Sequence, residues 1–231
     1  MTDKQKIVTI YASVVAASTL IMVIAFAIRG ENKDVAELND TPRYQQETNF
    51  DAVLKLEKDI VLKNQEGEDV KISDLKGKVW AFAQFYAFCP MCAERNAQGL
   101  KDLYDKFKSD PDFIVVCITV DPENDTPESM KSYAKALGAD SSNWLFLTGD
   151  AEPLKEYMVN EMKYQTIVKR EDPEEAARLG AYEHDMSIAV FDRELGMVKR
   201  HDLFNAKEKG EAFYTGEENK LNFTVETLLK K

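Results

Sequence analysis

Basic charge is what this chain has too little of. Its 30 Lys and Arg stand against 41 Asp and Glu, a formal net charge of -11. Phosphate backbones need a clustered basic face, so a nucleic-acid partner is excluded. Cysteine is scarce as well: there are three, and a single C-x-x-C with no second one disfavours a structural zinc site, which wants four ligands at short spacing. Only two histidines are present, and no repeats or long low-complexity tracts interrupt the chain. What remains is 231 residues at 44% hydrophobic content, enough to bury one good core and to carry appendages on it.

The first appendage is an uncharged run at residues 7–28, IVTIYASVVAASTLIMVIAFAI, long enough to cross a bilayer core of about 30 Å as a helix. Lys4 and Lys6 precede it and Arg29 follows, so the charge bias that orients such a helix is weak. Ala25-Phe26-Ala27 offers a cleavage site, but the run exceeds the apolar segment of a signal peptide, roughly 7 to 15 residues. We therefore expect residues 1–30 to be an uncleaved single-pass anchor. Residues 31–50 turn polar and acidic and read as a tether, and residues 51–231 form the exported domain.

Within that domain, residues 59–75 hold two alternating segments around Glu66-Gly67, a β-hairpin pattern. KVWAFAQFYAF then runs almost without a polar residue, the mark of a central strand buried on both faces. Pro90 suits a first helical position, and Ala93, Ala97, Leu100, Leu103, Tyr104 and Phe107 recur at helical spacing. FIVVCITV is a second buried strand, and Thr126-Pro127 start a helix that reaches about Leu137. Trp144–Leu147 reads as a third strand, and residues 152–179 as mostly helical with a loop near Asp172-Pro173. SIAVFD and MVKRHD form a terminal hairpin, and residues 223–230 a closing helix. The alternation predicts an α/β fold, a mixed central sheet with helices on both faces.

The chemistry lies in FCPMC. A cysteine that opens a helix feels the partial positive charge of unpaired backbone amides, which favours thiolate. Cys89 and Cys92 sit one helical turn apart, where two sulfurs can form a disulfide, attack one, or clamp a soft metal. Cys89 is the expected nucleophile and Cys92 its resolving partner. Cys117, inside FIVVCITV, reads as a small buried hydrophobe.

VLKNQEGEDVKISDLKGKVWAFAQFYAFCPMC, followed by VVCITVDPENDTPESMKSYAKALGADSSNWLFLTGD, resembles the SCO/SenC family, and VDPENDTP with LTGD is the most specific part. The resemblance covers residues 59–202. It implies a thioredoxin-like domain anchored in the membrane that helps deliver copper to cytochrome c oxidase. In that family two cysteines and one distant histidine bind copper; here these positions fall to Cys89, Cys92 and His184, the last standing before SIAVFD. Two thiolates and an imidazole suit Cu(I). His201 has no motif around it and reads as structural.

The chain departs from that pattern in one respect. Family members usually separate their cysteines by three residues, whereas only Pro90 and Met91 stand between them here. Removing one residue turns the second sulfur by about 100° around a helix. The spacing resembles that of thioredoxin and of membrane-tethered thiol reductases of the TlpA/ResA kind, but Phe88 replaces their Trp, and Asp185, Met186 and Ser187 stand where they place a proline. A peroxiredoxin would need Thr or Ser at Tyr86. Met91 and Met186 bring thioethers near these positions and read as packing before ligation. The expectation is a copper-binding protein of the inner membrane whose domain faces the periplasm and serves a cytochrome c oxidase subunit or another cuproprotein or thiol client. A thiol-disulfide oxidoreductase acting on such a client is the enzyme alternative.

Overall fold

A strand that is apolar at every position must be covered on both faces, and that requirement organises the fold. The computed structural model describes residues 50–88 and 97–231, together with Gln5, Thr19 and Leu20. The chain separates into Met1–Glu47 and Thr48–Lys231, and the architecture below is that of the second unit. The expected anchor at 7–28 (Thr19 and Leu20 apart), the tether at 31–50 (Phe50 apart), and both Cys89 and Cys92 lie outside the described residues. Among the described residues no helix is long and apolar enough to cross a membrane.

The elements in chain order are β1 (Leu54–Lys55), β2 (Val61–Lys63), β3 (Asp69–Lys71), β4 (Val79–Phe85), α1 (Ala97–Phe107), β5 (Phe113–Thr119), α2 (Pro127–Leu137), β6 (Trp144–Leu147) and α3 (Ala151–Glu156). They continue with β7 (Val168–Lys169), α4 (Pro173–Leu179), β8 (Tyr182–Glu183), β9 (Ile188–Phe191), β10 (Gly196–His201), α5 (Leu203–Lys209) and α6 (Glu211–Leu229). Six strands form one sheet in the order β1-β10-β9-β4-β5-β6. β4, β5 and β6 are parallel, whereas β9 runs antiparallel to β4 and β10 antiparallel to β9. The sheet is mixed, as the sequence predicts, and β4 lies inside it with all seven residues buried.

Alternation along the strands separates the two layers. Val79, Ala81, Ala83 and Phe85 of β4 point into a core with Leu100, Leu103 and Tyr104 of α1, Met130 of α2, Leu203 of α5 and Val225 of α6. Trp80 and Phe82 point the other way, toward Leu62 of the β2–β3 hairpin, Leu154 of α3, Met158 and Tyr164. Trp80 stacks on Phe191 at 3.8 Å between ring centroids, worth about 0.5–1.5 kcal/mol beyond its buried area. The hairpin turns at Gly67, φ 81°, and α2 opens with the Thr126 hydroxyl accepting from Ser129 N–H at 3.3 Å.

Two stretches differ from the sequence reading. Residues 152–179 are not mostly helical: the chain leaves its helical path after Glu161 and crosses as β7, and Asp172-Pro173 begins α4 instead of breaking it. Asp172 caps that helix by accepting from Glu174 N–H at 2.9 Å. The closing helix is also longer than read, because α6 starts at Glu211 and a further helix, α5, capped by Asp202, precedes it.

Candidate functional site

The β4 strand delivers the chain to its two cysteines, so the residues at its far end matter most. Tyr86 is buried, Ala87 is half-buried and Phe88 is 73% exposed, and Cys89 follows at the edge of the described residues. The Ala87 N–H donates to both carboxylate oxygens of Asp125, at 3.1 and 3.2 Å. Asp125 also accepts the Thr119 hydroxyl proton and is 1% exposed; that burial pushes its carboxyl above the usual range. DPENDTP is thus a turn folded around its own acids, with Asp121 accepting from Asn124 Nδ2 and from the Tyr182 hydroxyl at 3.0 Å.

Across the sheet, the pairing of Phe82 with Ala189 carries the loop before β9 alongside Gln84 and Tyr86. His184 sits in that loop, half-buried, with its ring edge-on to Tyr86 at 5.8 Å and 77°. It is therefore no surface histidine, although Glu183 beside it is exposed. Its Nδ1 lies 3.0 Å from the Asp185 carbonyl. A carbonyl only accepts, so Nδ1 carries a proton, and in the neutral ring the electron pair is then on Nε2. Burial moves the imidazole pKa below its ordinary value, which keeps the ring neutral, the form that binds metals.

The loop that carries His184 is held by side chains on neighbouring strands. Gln84 Oε1 accepts from Asp185 N–H at 3.1 Å, and Asp185 Oδ1 accepts from Ser187 N–H at 2.7 Å. Arg200 of β10 lies 3.8 Å from Asp185 Oδ2, donates to the Met162 and Lys163 carbonyls, and stacks over Tyr164 at 4.0 Å. Met186 packs with Tyr86, Val120 and Tyr182, in keeping with its reading as packing.

Of the expected site residues the structure describes His184 alone; Cys89 and Cys92 lie beyond the described end of β4. Among the described residues no three His, Cys, Asp or Glu side chains gather as a metal-holding group. Cys117 is not such a donor. It is 1% exposed, it receives the Trp144 indole N–H at 3.4 Å, and burial pushes its thiol up to about 12. His201 is structural as read: fully buried, with Nδ1 3.0 Å from Glu217 Oε1 and Nε2 3.1 Å from Thr224 Oγ1.

Sequence reasoning assigned no role to Gln84, Asp125 or Tyr182. Gln84 had a signal, as the one polar residue of an apolar strand; Asp125 lay inside the run that carried the resemblance.

Three parallel strands, an antiparallel pair beside them and a dithiol motif directly after the central strand define a thioredoxin-like protein. The SCO1/SenC family profile matches residues 51–213, and the chain belongs to that family. A SCO1 protein homolog of Bacillus subtilis (strain 168) is 32% identical over 114 residues, 48% of this chain. The chain spans 58% of the length of that relative. Among solved structures, a SCO1/SenC family lipoprotein of Bacillus anthracis str. Ames has a TM-score of 0.60 at 21% identity, covering 75% of this chain and 97% of its own. ScoI of Bradyrhizobium japonicum, solved with copper bound, has a TM-score of 0.53 at 21% identity, covering 71% of this chain and 99% of its own.

Proposed function

We propose that this protein is a membrane-anchored copper carrier that assists cytochrome c oxidase assembly. Cys89, Cys92 and His184 hold Cu(I) as cargo while the cysteines are reduced. The observation that carries this reading is the Nδ1–H bond from His184 to the Asp185 carbonyl, made beside Tyr86, three residues before Cys89. It fits an imidazole that offers Nε2 to a soft ion together with two thiolates. Joining the two sulfurs passes two electrons from the thiolates to a partner disulfide, whose sulfurs take protons from water and leave as thiols, and withdraws both thiolates from the ion, so delivery is gated by redox state. The run at 7–28 would serve as the anchor in the inner membrane, with the domain in the periplasm.

The test is Cu(I) affinity of the reduced full chain, measured against a competing chelator without oxygen, beside His184→Ala. One tightly held copper, weakened tenfold or more by the substitution, about 1.4 kcal/mol, is the expected result. Binding indifferent to His184 would overturn it. The two-residue spacing of Cys89 and Cys92 supports a second reading, a thiol-disulfide oxidoreductase that keeps client cysteines reduced; turnover of a dithiol substrate without copper binding would establish it.

A further inference from the structure

Gln84 is the only polar residue in VWAFAQF, and it is 3% exposed. Alternation places it on the face of Trp80 and Phe82, where an apolar side chain of similar length would pack without bringing polar atoms into the core. Burying an amide costs about 1–3 kcal/mol unless its hydrogen bonds are made. One end of the Gln84 amide has a weak partner, the Met158 sulfur at 3.5 Å from Nε2. The other has a strong one, the Asp185 N–H at 3.1 Å from Oε1.

That N–H belongs to the peptide linking His184 to Asp185, and the carbonyl on the far side of Asp185 is the acceptor for His184 Nδ1. The Asp185 side chain is tied as well, to Ser187 N–H and toward Arg200. Gln84 therefore grips, from the strand that leads to the cysteines, the one residue whose carbonyl sets the state of the imidazole.

We propose that Gln84 is a positioning residue for His184: it fixes the Asp185 backbone by its N–H so that the carbonyl of the same residue captures Nδ1–H and the ring presents Nε2 as its unprotonated nitrogen. In water a neutral imidazole prefers the opposite tautomer, so releasing the peptide moves the proton toward Nε2 and removes the electron pair a metal would use. This inference rests on His184 being the imidazole donor of the proposed copper site.

The test uses the full chain labelled with 15N-histidine, which contains only two imidazoles. In the reduced, metal-free protein His184 is expected as the Nδ1–H tautomer, with His201, whose Nδ1 faces a carboxylate, as internal reference. Gln84→Met should shift His184 toward the Nε2–H form, leave His201 unchanged, and lower Cu(I) affinity by about 10- to 100-fold. Leu228→Ala, a core truncation on α6, serves as the control for general loosening and should leave the His184 tautomer alone. The proposal falls if Gln84→Met keeps the Nδ1–H form, or if Leu228→Ala moves the tautomer as far. Should the wild-type chain hold no copper, the copper reading fails, while the tautomer still decides whether Gln84 positions the ring.

Discussion

The two histidines answer the same chemical question differently. His184 gives its Nδ1 proton to a neutral backbone carbonyl in a half-buried loop, in contact with the strand end that continues into the cysteines. His201 gives its Nδ1 proton to the Glu217 carboxylate, and its Nε2 meets Thr224, with the ring fully buried between β10 and α6. A ring engaged at both nitrogens inside a core ties elements together. A ring engaged by its own neighbour's carbonyl has its orientation set locally, which is the arrangement a ligand needs. The difference lies in the partners, and neither the residue type nor its flanking charges reveal it.

Substitution should pull the two apart, with the largest effect at His201. His201→Ala removes the main partner of Glu217, takes one of two hydrogen bonds from the buried Thr224 hydroxyl, which keeps the Lys220 carbonyl, and opens a cavity, at a cost of about 2–4 kcal/mol. For a chain of this length that lowers Tm by roughly 5–15 °C. Cu(I) affinity of the folded protein should stay within about twofold of wild type, a change of under 0.5 kcal/mol. His184→Ala should do the reverse, with little thermal effect and a large loss of copper. Thermal melts and chelator competition on both variants check the contrast, and it breaks if either variant lowers both quantities together.

A smaller effect follows from pH. The His201 ring, then Lys220, hold the Glu217 carboxyl down at about 2, below its ordinary 4.5. A carboxyl lowered on folding stabilises the native state above its unfolded pKa, and that contribution is lost as pH falls through the folded one. The stability advantage of wild type over Glu217→Gln should therefore be full above pH 4.5 and shrink as pH falls from 4.5 toward 2. Melts at a series of pH values measure it, and an advantage that stays constant over this window would remove the carboxylate from the His201 contact.

How much of this was legible depended on whether a residue's role is set by its neighbours in sequence or in space. VWAFAQF and FIVVCIT could be read as buried strands because covering both faces forces apolar residues at every position. Thr126-Pro127 could be read as a helix start because a cap works within one turn. β7 and β8, two residues each, are too short to carry a period, and among the described residues they pair only with each other. The first half of α6, with Gly216 inside it, has weak helical propensity; its helix is supported by packing, where Tyr214 lies against the core formed with β4 and β9. The placement of His184 came from the resemblance. Its tautomer, and the roles of Gln84 and Asp125, depend on contacts between residues far apart in the chain, which no local pattern contains.

The smallest effect concerns the third cysteine, and it sharpens the same contrast between buried and presented groups. Cys117 shares the β5 strand with the Thr119 that supports Asp125, yet its thiol is sealed in the apolar layer and pushed up to about 12. Thiolate is the reactive form, so at neutral pH Cys117 should resist an alkylating reagent that modifies the other two thiols of the reduced native chain, and should react only after denaturation. Cys117→Ala should cost about 1 kcal/mol for the lost sulfur contacts and leave copper stoichiometry unchanged. Mass spectrometry after alkylation, with and without denaturant, counts the thiols directly. Three modified cysteines in the native protein would mean that β5 opens readily, and the rigid strand frame that holds Asp125 against Ala87 would then not be the support described for the cysteine-bearing end of β4.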